Sequence, residues 1–286
     1  MALALVTGAS TGIGRATALR LVATGWTVLA GVRDPAAGER LAADAVAGER
    51  LRVLTLDVTD AAQVQAAAES VREQAASAGV SLDGGLDALV NNAGIAVGGP
   101  LELISEEELR EQFEVNVFAQ VAVTRALLPA LRSARGRIVF VSSIGGRVAT
   151  PFLAPYTASK HAIEAIADAL RVELRSSHVG VALVEPGSVA TPIWDKARGE
   201  IDSFTLPPEY EQLYGKLPAA MRKTIEQTAS RGVPPETVAQ TIERALSAPK
   251  MRTRYLVGTD ARVQLMLRRA LPDRVFDRLV SRMMGV

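Results

Sequence analysis

The sequence predicts an α/β protein built on a single doubly wound parallel sheet, with a cap inserted near the C-terminal half. Short apolar runs alternate with longer segments of helical period along the 286 residues. The runs show little alternation of apolar and polar residues, as expected for parallel strands covered by helices on both faces. No internal repeat or low-complexity linker divides the chain. Because alternating strands and helices form right-handed parallel crossovers, we predict one domain over residues 1–286.

The predicted strands are rich in Leu and β-branched residues, and most are bounded by Gly, Asp or Asn. They cover residues 2–6, 27–32, 52–56, 86–90, 137–141, 179–184 and 254–257. Segments of helical period cover residues 12–23, 35–47, 61–78, 106–131, 156–176 and 235–246. Pro35 suits the first turn of its helix, because its missing N–H costs nothing there. The spacing of Ser105 and Glu108 predicts a capping box at the start of the 106–131 helix.

A change of composition marks a predicted cap over the sheet at residues 186–233. This segment carries five of the fourteen prolines and four of the twelve aromatic residues, namely Trp194, Phe204, Tyr210 and Tyr214. The aromatic and apolar character of the cap favours a hydrophobic ligand.

A helical tail is predicted at residues 259–286. One side of its last helix carries the apolar residues Val275, Phe276, Leu279, Val280, Met283 and Met284, opposite Arg274, Arg278 and Arg282. This pattern predicts an amphipathic helix. Packing on the sheet body or across a dimer is the favoured interpretation, and contact with a membrane surface is the alternative.

The composition excludes several classes of function. A net charge of +1 argues against electrostatic capture of nucleic acid, and a hydrophobic content of 48% supports a large core. The absence of cysteine excludes thiolate chemistry, and a total of two histidines excludes a His-rich metal site. We therefore expect no metal. Because the sequence has neither a secretory signal nor an apolar stretch of membrane length, we expect a soluble cytoplasmic protein.

A glycine-rich turn follows the first predicted strand and opens the first predicted helix. Gly8, Gly12 and Gly14 follow Thr7 with the spacing G-x-x-x-G-x-G. Glycine permits a tight turn and close approach of the backbone to a pyrophosphate, which then lies at the positive N-terminus of the helix. A turn without a ligand is the alternative. The position of this turn in the first strand–helix unit favours a dinucleotide site.

The ends of the following strands predict how the nucleotide is recognised. No acid precedes Asp34 at the end of the second strand, where a carboxylate would accept a hydrogen bond from the 2′-hydroxyl of NAD. Arg33 offers a guanidinium to a 2′-phosphate instead, unless it is an ordinary solvated arginine. Asp57 is placed to accept a hydrogen bond from the adenine amino group. The alternative is that Asp57 belongs to a helix cap around Asp60. The small residues in the 91–94 segment would let a cofactor lie close to the backbone.

Tyr156 and Lys160 lie four residues apart in a predicted helix and therefore share one helical face. A lysine ammonium near a tyrosine favours the phenolate, so we expect it to lower the pKa of Tyr156. Ser143 ends the fifth strand, at the carboxyl edge of the sheet where ligands of such folds bind. His161 faces away from Lys160 and is predicted to pack, whereas His178 is predicted to lie at the surface near a helix end.

Together these motifs resemble the short-chain dehydrogenase/reductase family, in its single-domain branch with a Rossmann-like fold. The resemblance covers about residues 2–258, in the family's order and spacing. Its elements are residues 7–14 and 91–94, Asn116, Ser143, Tyr156, Lys160, Pro186 with Gly187, and Thr191. The resemblance implies an oxidoreductase that transfers a hydride between a nicotinamide cofactor and a ketone, aldehyde or alcohol. Arg33 favours NADP(H) as that cofactor, and the apolar cap favours a hydrophobic substrate of steroid, retinoid or lipid type. NAD(H) is the second cofactor to consider.

The resemblance implies four catalytic residues. Tyr156 would be the general acid for carbonyl reduction and the base for alcohol oxidation. Lys160 would hold the nicotinamide ribose, and Ser143 would donate to the substrate oxygen. Asn116 would anchor a water that links Lys160 to solvent, unless it is a polar residue satisfying a helix kink.

The cofactor-binding residues implied by the motifs run from the glycine turn to the end of the sixth strand. They are Gly8, Ser10, Thr11, Gly12, Ile13, Gly14, Arg33, Asp57, Val58, Asn91, Ala93, Gly94, Tyr156, Lys160, Pro186, Gly187, Val189 and Thr191. The last two would hold the nicotinamide carboxamide.

Two other functions remain open at this point. A noncatalytic NADP(H)-binding module that responds to redox poise is one, although it would have no need of Tyr156. A peripheral membrane lipid-processing reductase that uses the tail is the other. We expect a small hydrophobic substrate and no nucleic-acid partner.

A homodimer or homotetramer is also expected, paired through the 106–131 and 156–176 helices. The small residues that would let these helices approach are Ala158, Ala162, Ala165, Ala167 and Ala169. The stripe that would pack inward or across the pair is Leu109, Phe113, Val117 and Val121. The tail would cover a second surface and stop assembly at two.

Overall fold

A computed structural model of the chain describes residues 2–46, 50–77, 85–192, 199, 201 and 206–284. In these residues seven strands form one sheet in the order β3-β2-β1-β4-β5-β6-β7. All neighbouring strands are parallel. The strands are β1 Leu3–Val6, β2 Thr27–Val32, β3 Leu51–Thr55, β4 Ala88–Asn91, β5 Arg137–Val141, β6 Gly180–Pro186 and β7 Arg254–Val257. The predicted doubly wound parallel sheet is confirmed.

Helices connect the strands and cover both faces of the sheet. Those before the cap are α1 Gly12–Ala23, α2 Pro35–Ala43, α3 Ala61–Ser77, α4 Glu106–Phe113, α5 Ala119–Ala134 and α6 Ala154–Glu173. Those that follow are α7 Glu211–Tyr214, α8 Leu217–Arg231, α9 Pro235–Ser247, α10 Thr259–Ala270 and α11 Asp273–Met284. Pro35 occupies the first turn of α2, and Ser105 with Glu108 forms the predicted capping box of α4.

Alternate residues of each strand face two separate cores, one on each side of the sheet. In β1, Leu3 and Leu5 face the core completed by α3, α5 and α6. Ala4 and Val6 face the core completed by α1, α2 and α9. Because both faces are covered, every β1 residue is buried, which explains the continuous apolar runs of the sequence.

The predicted 106–131 helix is divided by one π-helical turn, Glu114–Phe118, between α4 and α5. A π turn inserts one residue into the helical repeat and is frequent at functional sites. Asn116 lies in this turn and is fully buried. The turn changes which residues face inward: Val117 is buried in the core, whereas Phe118 is 59% exposed.

The described part of the cap contains two helices that the sequence did not predict, the short α7 and the longer α8. Met221 of α8 reaches the 92–100 loop and lies close to Gly98, which Leu153 of the sheet body also approaches. At the base of the cap, Val189 and Val233 form an isolated parallel bridge. Trp194 and Phe204, which were assigned to the cap, lie outside the described residues. Tyr210 and Tyr214 stack with ring centroids 6.2 Å apart.

The tail forms two helices, α10 and α11, that pack against the body beside β5. Phe276 is 7% exposed and shares a small core with Ile144, Val148 and Ala261. Val275 was predicted on the same apolar side but is exposed. The side chains of Met283 and Met284 lie outside the described part of the chain. Among the helices described, none is long and apolar enough to cross a bilayer.

Candidate active site

A cleft of about 580 Å³ opens at the carboxyl ends of the strands. This edge is where open α/β sheets bind ligands. Most of the predicted site residues line it: Gly8, Ser10, Thr11, Gly12, Ile13, Arg33, Asp57, Val58, Ala93, Gly94, Ser143, Tyr156, Lys160, Pro186, Gly187, Val189 and Thr191. Three predicted residues, Gly14, Asn91 and Asn116, do not line it.

The glycine turn between β1 and α1 needs glycine for two different reasons. Gly8 and Gly12 have φ angles of +62° and +53°, which L side chains rarely adopt. A Cβ on Gly8 would also lie 2.9 Å from the Cα of Ala93, at the end of β4. Gly14 is required by packing, since a Cβ there would collide with the carbonyl oxygen of Gly8. Gly14 therefore allows the turn to pack closely against the start of α1, and it does not line the cleft.

The start of α1 fits the pyrophosphate of a dinucleotide. Thr11 precedes the helix, and its side chain makes no capping hydrogen bond. The first N–H groups of a helix have no partner within the helix and attract anions, because they form the positive end of the helix dipole. Ser10, Thr11, Gly12 and Ile13 line the cleft at this point. The residues present therefore fit a bound phosphate group.

The residue after β2 that lines the cleft is the positively charged Arg33, whereas the neighbouring Asp34 does not line it. Arg33 is exposed and lines the cleft, where it attracts Asp57. The carboxylate of Asp34 is engaged elsewhere: one oxygen accepts from the N–H of Ala36 at 3.0 Å, and the other lies 3.7 Å from Arg40. Asp34 therefore caps α2. Of the two residues that follow β2, only Arg33 lines the cleft.

Asp57 lines the cleft with one carboxylate oxygen already occupied. Its Oδ1 accepts from the N–H of Thr59 at 2.9 Å and from the Thr59 hydroxyl at 2.7 Å. Burial favours the neutral carboxyl, but these hydrogen bonds and Arg33 hold the pKa of Asp57 below its usual value. The cap of α3 is formed by Asp60, which accepts from Ala62 at 2.8 Å. Asp57 is thus ionised and available to accept a hydrogen bond in the cleft.

Asn91 was predicted to bind the cofactor, but its side chain points away from the cleft. Asn91 is fully buried, and its Nδ2 donates to the Thr124 hydroxyl at 2.8 Å. The reason is the two-residue alternation of a strand, which turns Asn91 toward α5 and its neighbour Asn92 toward the cleft. Asn92 instead donates to the carbonyl oxygen of Thr7 at 2.9 Å. It ties the glycine turn to the end of β4.

Asn116 holds the backbone of the cleft wall. Its Oδ1 accepts from the N–H of Ile95 at 2.8 Å, and its Nδ2 donates to the Ile95 carbonyl at 3.0 Å and to the Ser159 hydroxyl at 3.1 Å. These hydrogen bonds join the π turn to the 92–100 loop and to α6, and the water-anchoring role of Asn116 stays a prediction. Gln112, which the sequence analysis missed, holds the same wall, because its Oε1 accepts from the N–H of Val97 at 2.7 Å. Its position four residues before Asn116, on the same helical face, was the available signal.

Ser143, Tyr156 and Lys160 come together on one side of the cleft. Ser143 follows β5, and its Oγ accepts from the N–H of Gly145 at 3.0 Å. Tyr156 lies in the first turn of α6 within hydrogen-bonding reach of the Ser143 hydroxyl. Lys160 lies one turn later, with Nζ 5.7 Å from the centre of the Tyr156 ring. The three side chains to which the family resemblance assigns catalytic roles are therefore neighbours.

The expected lowering of the Tyr156 pKa by Lys160 is wrong for this arrangement. Burial raises the pKa of Tyr156 above its usual value, and the Ser143 hydroxyl opposes this only in part. Lys160 has little effect because its Nζ lies over the ring face and donates to the carbonyl of Val141 at 2.9 Å. Burial also lowers the pKa of Lys160 to about 8, against the attraction of Glu164. Tyr156 is therefore held protonated at neutral pH.

A buried charge cluster lies one turn beyond Lys160. Arg254 of β7 is 3.0 Å from both Glu164 of α6 and Glu185 of β6, and Arg147 is 3.1 Å from Glu185. Burial and the charge of Glu185 raise the pKa of Glu164 to about 7. The sequence analysis missed this cluster, although an acid inside the apolar run of β6 indicated a buried partner.

The two histidines lie outside this cleft. His161 was predicted to pack, but it is exposed, and its Nδ1 lies 2.9 Å from the Thr157 carbonyl of the preceding turn. His178 is exposed beyond the end of α6, as predicted.

Comparison with known proteins supports the assignment made on these residues. The family model described as short chain dehydrogenase matches residues 2–202. The chain is 37% identical to an NADPH-dependent 3-dehydrocapnine reductase of Ornithobacterium rhinotracheale, covering 98% of this chain and 96% of that protein. It is 36% identical to retinol dehydrogenase 16 of Homo sapiens, covering 96% of this chain and 86% of that protein.

Solved structures show the same fold with nucleotides bound. A short chain dehydrogenase of Burkholderia cenocepacia in complex with NADP is 26% identical with a TM-score of 0.72, covering 99% of this chain and 97% of that one. A short chain dehydrogenase/reductase of Burkholderia phymatum in complex with NAD is 28% identical with a TM-score of 0.78, covering 94% and 92%. By sequence and by fold, this chain belongs to the short-chain dehydrogenase/reductase family and is an NAD(P)-dependent oxidoreductase.

Proposed function

We propose that the protein transfers a hydride between NADP(H) and a hydrophobic ketone, aldehyde or alcohol. The proposal depends on one observation above all: Ser143, Tyr156 and Lys160 meet at a cleft that also contains the glycine turn. The nicotinamide supplies or accepts the hydride. Ser143 Oγ accepts from the Gly145 N–H, which orients the Ser143 hydroxyl as a hydrogen-bond donor to the substrate oxygen. Tyr156, which burial keeps protonated, donates a proton to that oxygen during carbonyl reduction.

The walls near Tyr156 favour an apolar substrate. Ile95, Val115, Leu153 and Pro192 line the cleft. Met221 of the cap, like Leu153, lies close to Gly98 in the 92–100 loop. Burying apolar substrate carbons here contributes roughly 25 cal/mol per Å². The similarity to a retinol dehydrogenase supports the same class, since retinol is an apolar alcohol.

The test of this function is a panel of carbonyl compounds assayed by the oxidation of NADPH. Long-chain and polycyclic ketones and aldehydes are expected to be reduced with a higher kcat/KM than short polar compounds carrying the same carbonyl group. Binding of NADPH without turnover of any member would favour the noncatalytic module instead. Equal kcat/KM for the apolar and the polar compounds would contradict the proposal that apolar residues of the cleft select the substrate.

Preference for NADP(H) over NAD(H) is proposed from the end of β2. Arg33 faces the cleft while the Asp34 carboxylate caps α2. Charged hydrogen bonds contribute about 1.5–3 kcal/mol each, so Arg33→Ala is expected to raise the KM for NADPH by at least tenfold and to change that for NADH little. The matched control is Arg52→Ala, which removes an exposed arginine of the adjacent strand β3. Equal kcat/KM of the wild-type protein for both cofactors would contradict the assignment.

We also propose that two copies pair through α5 and α6. The predicted stripe faces inward, since Val117 is buried and Phe113 packs against the core. Two apolar side chains are exposed here instead: Phe118, the last residue of the π turn before α5, at 59%, and Val172 of α6 at 74%. Light scattering at micromolar concentration is expected to give the mass of a dimer. A monomer would contradict the pairing, and a tetramer would contradict the blocking role of the tail.

A further inference from the structure

The turn after β6 forms one wall of the cleft and is held from outside the cleft. Its residues Pro186 and Gly187 line the cleft. The N–H of Ser188 donates to the Oδ2 of Asp260, in the first turn of α10, at 2.7 Å. The carbonyl of Ser188 accepts from the N–H of Val233 at 2.9 Å. The turn is therefore fixed on one side by the tail and on the other by the end of the cap.

Asp260 is packed closely against the turn that it holds. A Cβ on Gly187 would collide with both carboxylate oxygens of Asp260, and one on Gly258 would collide with Oδ1. Gly258 also has a φ of +102°, which favours glycine. The carboxylate lies at the N-terminal turn of α10, where the helix dipole stabilises a negative charge. These contacts give Asp260 one defined position behind the turn.

The rest of the tail contacts the turn that follows Ser143. Phe276 packs with Ile144, the residue after Ser143, and with Val148. Ala261, next to Asp260, is fully buried in the same small core. One segment, α10 with α11, thus supports both the turn that ends β6 and the turn that follows Ser143.

We propose that Asp260 is a positioning residue for the cofactor, which fixes the 186–188 turn from behind and so sets how Gly187 and Val189 meet the dinucleotide. The proposal rests on the proposed dinucleotide site. It does not require any particular carbonyl substrate. Asp260 does not touch the cleft itself, and its effect passes through the Ser188 amide.

The test compares NADPH affinity, measured by calorimetric titration, across three variants. Asp260→Ala removes the acceptor and leaves the Ser188 amide unpartnered, so the Kd is expected to rise about tenfold. Asp260→Asn keeps an oxygen acceptor and is expected to restore most of the affinity. The control Asp273→Ala removes another acid of the tail, one that pairs with Arg268 at 2.7 Å, and is expected to leave the Kd unchanged.

A purely structural role would lower the Tm of Asp260→Ala without raising the Kd of the folded protein, and that result would overturn the proposal. Should Asp260→Ala fail to fold, Gly258→Ala tests the same contact, because its new Cβ points at Oδ1 of Asp260 and Gly258 does not line the cleft. We expect it to weaken NADPH binding, and wild-type affinity would again overturn the proposal. The Kd for NADPH and the Tm are both measured without turnover. Wild-type protein that binds NADPH but reduces no carbonyl would refute the proposed reaction and leave this inference standing.

Discussion

Replacing Tyr156 by Phe is expected to lower kcat by about 10²–10⁴-fold, the usual contribution of a positioned general acid. The change removes the hydroxyl that lies within reach of Ser143 and keeps the ring that Lys160 faces. Because burial keeps Tyr156 protonated, the lost group is the proton donor for carbonyl reduction. NADPH binding should stay close to that of the wild type, since the aromatic wall remains.

The measurement is kcat for an apolar carbonyl substrate together with the Kd for NADPH. Tyr255→Phe is the matched control, because the hydroxyl of Tyr255, in β7, accepts from the N–H of Arg252 away from the cleft. We expect that variant to keep wild-type turnover. If Tyr156→Phe retained half of the wild-type kcat, Tyr156 would not be the acid.

Ser143→Ala is expected to reduce kcat by roughly 10²–10³-fold, the range found when one oxyanion donor is removed. The Gly145 N–H occupies one lone pair of Ser143 Oγ and orients the hydroxyl, so the serine contributes a directed donor. Ser177→Ala removes a hydroxyl at the end of α6, where it donates to the Leu174 carbonyl, and should have no effect on kcat.

The double variant sharpens this prediction. Residues that act as one unit are non-additive, so Ser143→Ala combined with Tyr156→Phe should lose little more than Tyr156→Phe alone. Losses that multiply would show that the two hydroxyls contribute independently.

The sheet and most of the cleft could be predicted from the sequence, because buried parallel strands leave continuous apolar runs whose ends meet at one edge. Arg33 and Asp57 were placed in this way. The π turn at Glu114–Phe118 could not be predicted, because one inserted residue hardly alters the helical period. It decides where Asn116 points.

Other contacts depend on distance in space and leave no local pattern. Asp260 lies 72 residues after Ser188, and nothing near either position signals their hydrogen bond. The raised pKa of Tyr156 likewise depends on burial, which the spacing of Tyr156 and Lys160 does not report. The helix α8 was missed because the prolines and aromatic residues of its segment favoured irregular structure.

The strand order also has a consequence for how the chain assembles during synthesis. β1 lies at the centre of the sheet, where Leu5 pairs with Leu29 on one side and with Leu89 on the other. The second edge of β1 therefore stays open until β4 has left the ribosome, and later strands then add one by one in chain order. Contacts between distant segments are slow to form, because closing a long loop costs entropy first. Asp260 and Phe276 come after the last strand, so the cofactor pocket gains its rigid back wall only when nearly the whole sheet exists.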